Sequence, residues 1–178
     1  MASLGMDKDV EIVEFGAGGG ILGEALTEQG FTNIVGLDGS AGMLAVAEAT
    51  GYFKEAHQVV FGCGAFPEHL KRRFPVAVSI GTLGRNHAPP DTFDDMVASL
   101  RGAKGDTLLL TMREDCYKEC GFKEHLDGLI EQGTLQLVHE ETFEREVHNH
   151  LFEGNKLWEK PVLGVLLHLE LKLDLTST

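Results

Sequence analysis

Lysine and arginine are scarce in this chain. Fifteen of its 178 residues are basic against 28 acidic ones, a formal charge of −13. Binding to a phosphate backbone needs clustered cations that displace counterions, and no such patch is evident, so DNA and RNA are not expected as substrates. Long apolar runs are missing too: none approaches the ~20 residues of a membrane span. Met1-Ala2-Ser3-Leu4 leads into no signal-peptide pattern, and no membrane partner is expected. Cysteine is limited to three, an odd count that suits free thiols in a reducing compartment, with the cytoplasm as the expected location. Paired metal ligands are also lacking. Cys116 and Cys120 lie four apart with His125 nearby, but no second closely spaced pair accompanies them. His148-Asn149-His150 has no third ligand at convincing spacing, so no metal site is expected. There is no internal repeat, low-complexity tract or linker. A hydrophobic share of 43 % over this length suits one domain, residues 1–178, with a three-layer α/β core.

What the chain does have is concentrated between Glu11 and Met43, EIVEFGAGGGILGEALTEQGFTNIVGLDGSAGM. The apolar run Ile12, Val13, Phe15 ends in Gly16-Ala17-Gly18-Gly19-Gly20. A helical pattern follows through Ile21, Leu22, Ala25 and Leu26, and Gly30 stops it. Phe31 to Leu37 is strand-like again, and Asp38 stands at its end. This is the order of a nucleotide-binding βαβ unit, in which glycines let a ligand approach the backbone and a later carboxylate grips ribose hydroxyls.

Two details favour S-adenosylmethionine (SAM) over a dinucleotide. Glu14 precedes Gly16 by two residues; a carboxylate there suits a ligand carrying an ammonium and a sulfonium, and repels a pyrophosphate. After Asp38, Gly39-Ser40-Ala41-Gly42-Met43-Leu44 supplies a helix N-cap at Ser40 and then an apolar helix face. Glu-Phe-Gly-Ala-Gly-Gly-Gly and Gly-Leu-Asp-Gly-Ser-Ala-Gly-Met-Leu resemble the two successive motifs of the class I SAM-dependent methyltransferases, E/D-x-G-x-G-x-G and G-x-D-x-S-x-x-M-L. The dinucleotide alternative rests on Gly18-Gly19-Gly20-Ile21-Leu22-Gly23, a literal G-x-G-x-x-G. That register leaves Gly16 and Ala17 between the strand and the turn, and no Tyr-x-x-x-Lys pair follows.

The remaining chain continues the alternation. Met43 to Ala49 reads as helix, Gln58 to Phe61 as a third strand, and Pro75 to Ile80 as a fourth strand apolar on both faces. Pro90 to Leu100 is a helix through Phe93, Met96, Val97 and Leu100. Asp106 to Met112 is a fifth strand, and Cys116 to Gln132 is helical with a break at Gly121. Thr134 to Val147 and Val162 to Leu175 read as two long strands, the last alternating leucines with polar residues. Trp158 lies between them, at the core edge or over the acceptor. The expected fold is therefore α/β, a three-layer sandwich around a mostly parallel seven-stranded sheet whose last strand is antiparallel, the Rossmann-like methyltransferase fold.

The resemblance also assigns roles. It implies that Glu14 holds the methionine end of SAM, that Gly16, Ala17, Gly18 and Gly20 cradle it, that Asp38 with Gly39 binds the ribose, and that Met43 packs on the adenine. Cys63 and Gly64 stand where the family commonly places an acidic residue for the adenine amine. Ile80, Gly81 and Thr82 line the cofactor near the reacting centre. His87, in Arg85-Asn86-His87, is the candidate for proton removal from the acceptor, because imidazole exchanges protons near neutral pH. The family also carries helices before its first strand that are missing ahead of Asp9 here, as in a short variant or a fragment. The segment SIGTLGRNHAPP, the helix after it and DTLLLTMR are similar to the methyltransferase-like family of the Williams–Beuren syndrome chromosomal region, over residues 10 to 140. Asn/Asp-Pro-Pro-Tyr, found in DNA and protein-glutamine methylators, is absent. The implied activity is methyl transfer from SAM to a small-molecule acceptor, less readily to a protein side chain. The alternatives are a non-catalytic methyltransferase-like binding module and a nicotinamide-dependent oxidoreductase.

Overall fold

All four side chains of Ile12-Val13-Glu14-Phe15 are buried, which a strand achieves only in the middle of a sheet covered on both faces. In the computed structural model, which describes residues 5–145 and 162–174, this run is the central strand β1 (Ile12–Phe15). It pairs in parallel with β2 (Ile34–Asp38) on one side and β4 (Val76–Ile80) on the other. With β3 (Glu55–Gln58), β5 (Thr107–Arg113), β6 (Leu135–Arg145) and β7 (Val162–Leu171), the order across the sheet is β3-β2-β1-β4-β5-β7-β6. The first five strands run parallel, and β7 is antiparallel to both β5 and β6. The expected mostly parallel sheet with an antiparallel last strand is thus present. Strand order reverses between β1 and β4, and ligands of open α/β sheets settle in the crevice outside the carboxyl ends at such a switch point.

The helices α1 (Ile21–Glu28), α2 (Ala41–Thr50), α3 (Thr92–Ser99), α4 (Glu114–Glu119) and α5 (Phe122–Glu131) complete the layers. One face of the sheet gives Val13, Phe15 and Leu37 to a core shared with Phe93 and Met96 of α3 and Phe122 and Leu126 of α5. The opposite face packs Ile12, Ile34, Val76 and Val78 against Leu26 of α1 and Phe31. Local chemistry sets the boundaries. The Ser40 hydroxyl accepts from the Met43 amide at 3.3 Å and starts α2. Gly121 takes φ +85, a left-handed conformation costly for other residues, and divides the 116–132 stretch into α4 and α5. Among the described residues no helix precedes β1.

One strand lies elsewhere than its pattern suggests. The apolar alternation predicts β3 at Gln58 to Phe61, whereas the ladder with β2 covers Glu55 to Gln58. Val59 and Phe61 are buried and Val60 is exposed, so the segment alternates without being a strand. Its two apolar side chains enter the core from a loop that leaves the sheet once the Val59 amide has bonded the Asp38 carbonyl at 3.0 Å. The true β3 is polar because it is an edge strand. Glu55 shares Arg73 with Glu11, each carboxylate accepting at 2.6 Å, and the Arg73 hydrogen bonds hold the Glu55 carboxyl down to about 2. His148, His150, Trp158 and Leu175 lie outside the described residues.

Candidate functional site

The carboxyl ends of β1, β2 and β4 meet around a cavity of about 580 Å³. Its first wall is the turn after β1. The amides of Gly16 and Ala17 both donate to the Leu37 carbonyl, at 2.8 and 2.9 Å, which turns the chain sharply over β2. Gly16 has φ +82, and a Cβ there would lie 1.9 Å from Thr82 Oγ1, so the two strand ends approach as closely as they do only because the side chain is missing. Gly16→Ala is expected to destabilise the fold by about 2–4 kcal/mol, from left-handed strain plus the clash. Thermal denaturation with and without S-adenosylhomocysteine checks it; an unchanged midpoint and an intact ligand shift would contradict this packing.

Asp38 ties the second wall to the first. Its Oδ2 accepts from the Gly18 amide at 2.9 Å and its Oδ1 from the Ser40 amide at 2.8 Å. One carboxylate therefore fixes both the glycine turn and the start of α2 while keeping lone pairs for a ligand. Met43, 41 % exposed at the start of α2, also lines the cavity. The third wall is Ile80, Gly81 and Thr82 after β4, followed by His87, Ala88 and Pro89. A buried carboxylate braces the far end: Asp95 of α3 accepts from the Gly62 amide at 2.6 Å, and burial raises its pKa.

Glu14 of β1 is not in the lining of this cavity. It is 3 % exposed, its Oε2 is buried with no hydrogen-bond partner, and burial followed by repulsion from Asp38 pushes its pKa up to about 8. A buried carboxyl without a partner is costly to ionise, and a group perturbed in this way beside a cleft marks a candidate ligand site.

Of the residues singled out from sequence, Gly16, Gly18, Asp38, Gly39, Met43, Ile80, Gly81, Thr82 and His87 come together on the cavity wall. Ala17 and Gly20 do not line it: Ala17 is buried, and Gly20 caps α1 against Thr50 and Phe53. Cys63 and Gly64 do not line it either. The Cys63 thiol donates to the Val60 carbonyl at 3.1 Å, and the wall at that position is built by Val59, Val60 and Phe61. The sequence pattern did not point to these three, nor to Ala88 and Pro89. The signal for them is the apolar alternation just after Asp38's partner strand, read instead as β3. His125, which the sequence places near Cys116 and Cys120, faces Asp94 at 3.2 Å and Asp91 at 3.7 Å. Asp91 and Asp94 are exposed and His125 is half-buried.

Two further cavities adjoin the first. A polar one of about 460 Å³ shares Gly81 and His87 with it and extends along Arg85, Asn86, Arg113 and Asp115. An apolar one of about 430 Å³ meets it only at Ile80 and runs over Val78, Leu109 and Leu166 beside α1.

The crevice at the switch point is thus closed by a glycine turn that Asp38 ties to the start of α2. The methyltransferase domain family matches residues 3–155, and the chain belongs to that family. S-adenosylmethionine is the cofactor expected of it. Solved structures share the fold at low identity. A SAM-dependent methyltransferase from Methanosarcina mazei is 16 % identical with a TM-score of 0.71, the match covering 97 % of each chain. One from Mesorhizobium loti is 17 % identical with a TM-score of 0.63 over 94 % of each. The [4+2]-cyclase SpnF is 14 % identical with a TM-score of 0.69, over 94 % of this chain and 77 % of its own. No curated protein matches the sequence. Among the described residues no helix is long and apolar enough to cross a membrane.

Proposed function

We propose that the protein transfers a methyl group from S-adenosylmethionine to a small-molecule acceptor in the cytoplasm. Its three free thiols support the reducing compartment. The SpnF cyclase is a reminder that the fold admits other chemistry. The observation that carries the methyl-transfer reading is the buried, unpartnered Glu14 Oε2 on the strand that leads into a glycine turn tethered to Asp38. SAM fits those groups. Asp38 receives ribose hydroxyls, Glu14 receives the ammonium through its own ionised form, and Val59, Phe61 and Met43 give the adenine an apolar bed. When bound, SAM would supply an electrophilic methyl carbon on a positive sulfur, with the neutral thioether S-adenosylhomocysteine as the product left after transfer to the acceptor's lone pair.

The chain's own residues then have little covalent work. They hold donor and acceptor in line and keep water out, which is where most of the rate arises. Ile80, Gly81 and Thr82 form the wall between the two reactants. His87 stands on the boundary between the nucleoside cavity and the polar one, the place from which a proton leaving an amine or hydroxyl acceptor is taken. The narrower likeness to the Williams–Beuren region family belongs to this reading and is supported by the loop SIGTLGRNHAPP.

The test is a screen with methyl-labelled SAM against pooled amines, phenols, thiols and carboxylic acids, and against a protein extract. Label entering the small-molecule fraction, with kcat falling roughly 100-fold in His87→Ala, is expected. Label entering only the extract's proteins would move the acceptor class, and no transfer to either would remove catalysis from the reading.

A further inference from the structure

We propose that the polar cavity beside His87 is the acceptor subsite and that it receives a carboxylate on Arg85. This deepens the methyl-transfer reading and rests on it. The cavity opens from the carboxyl ends of β4 and β5 and shares Gly81 and His87 with the nucleoside cavity, so anything seated in it lies next to the wall where the methyl group arrives. Its lining carries two cations. Arg113 is occupied: its Nε and Nη2 donate to the two oxygens of Asp115 at 2.9 and 2.6 Å, and that pairing lowers the Asp115 pKa, so the pair is neutral as a unit. Arg85 is held much more loosely. It is an exposed side chain whose ion-pair contact is Glu119, also exposed, at 3.9 Å. Glu119 is not part of the cavity lining, whose charged groups Arg85, Arg113 and Asp115 leave one positive charge in excess inside a concave polar site.

A guanidinium offers parallel N–H donors matched to the two oxygens of a carboxylate, and a ligand in a cavity competes well with a loose surface pair. The turn supports the placement. Asn86 takes φ +66, a conformation asparagine tolerates, and the His87 amide donates to the Gly84 carbonyl at 3.0 Å. Arg85 thereby lines the polar cavity alone, while His87 lines both. The acid group is a handle and the nucleophile is a separate atom of the same molecule, presented at His87. The apolar cavity carries Glu141 and no lysine or arginine in its lining, and it touches the nucleoside cavity only through Ile80, so it offers a carboxylate no guanidinium or ammonium partner.

The test loads the protein with S-adenosylhomocysteine and titrates benzoate, phenylacetate and phenylpropanoate, each beside its primary amide, by ligand-observed NMR. The acids are expected to bind about 10-fold more tightly than their amides, or better, as loss of one ion pair costs about that factor. Arg85→Gln is expected to erase the preference and Arg85→Lys to restore part of it, with S-adenosylhomocysteine affinity the same in all three proteins. Equal binding of acids and amides, no binding of either, or a preference untouched in Arg85→Gln overturns the carboxylate subsite alone. Failure of the wild type to take S-adenosylhomocysteine overturns the methyl-transfer reading beneath it.

Discussion

Replacing Asp38 by alanine is expected to weaken S-adenosylhomocysteine about 100-fold, close to 2.7 kcal/mol. Two losses combine. The carboxylate holds the Gly18 and Ser40 amides at 2.9 and 2.8 Å, and without it the glycine turn and the start of α2 are no longer fixed to each other. Each is a charge-assisted bond, worth about 1.5–3 kcal/mol net. The ribose contact proposed for Asp38 goes with them. Asp38→Asn keeps one acceptor oxygen and is expected to recover part of the affinity. Unliganded Asp38→Ala also melts lower, because the tether acts without ligand. Calorimetric titration reads the first effect and thermal denaturation the second; an affinity within about twofold of wild type would remove Asp38 from the site.

Glu14→Gln is expected to move stability the other way while still weakening the ligand. The Glu14 carboxyl is raised from 4.5 to about 8, so the folded state binds a proton more readily than the unfolded chain does. Its cost is absent below the unfolded pKa and grows as pH climbs to about 8. At pH 7, roughly 2.5 units above 4.5, that cost is about 3 kcal/mol, each unit being worth about 1.4. The glutamine variant sheds most of it. Its melting point at pH 7 is expected to exceed wild type by a few degrees, and its stability to fall less between pH 5 and 8. Ligand binding reports the same carboxyl. An ammonium favours the ionised form, so wild type binds S-adenosylhomocysteine more tightly as pH rises toward 8 and releases close to one proton at pH 7, about 0.9 for a group with that pKa. The variant releases none. A lower melting point in Glu14→Gln, or proton release unchanged from wild type, would contradict this role. Paired with Asp38→Ala, the variant separates a carboxylate that the fold needs from one that the fold tolerates for its ligand.

Much of this was legible in the sequence, for definite reasons. Residues Ile12 to Asp38 carry a strand, a glycine turn, a helix stopped at Gly30 and a strand, and each signal is local enough to survive without the tertiary structure. Ser40 capping α2 and Gly121 breaking the 116–132 helix are equally local. The displaced β3 shows where periodicity fails. Val59 and Phe61 are buried by a loop, and the real edge strand is polar because Arg73 pairs with its glutamate from across the sheet, a partner no window of sequence contains. The cavity wall follows the same logic. Gly16, Asp38 and Thr82 stand at strand ends and could be placed from topology. Cys63 was assigned by motif position, but its thiol turns to the Val60 carbonyl and the wall passes to Val59, Val60 and Phe61. The burial of Glu14 without a partner is invisible in sequence, since it depends on what every neighbouring side chain fails to offer.

The central claim is that the crevice between β1 and β4 is a site for an adenosyl ligand with a cationic arm. Calorimetric titration of the unmodified chain with S-adenosylhomocysteine, and separately with NAD, tests it most directly. One site of roughly micromolar affinity for S-adenosylhomocysteine, near −8 kcal/mol, with no heat from NAD, is the expected result. NAD binding with silence toward S-adenosylhomocysteine, or silence toward both in a folded chain, would contradict it.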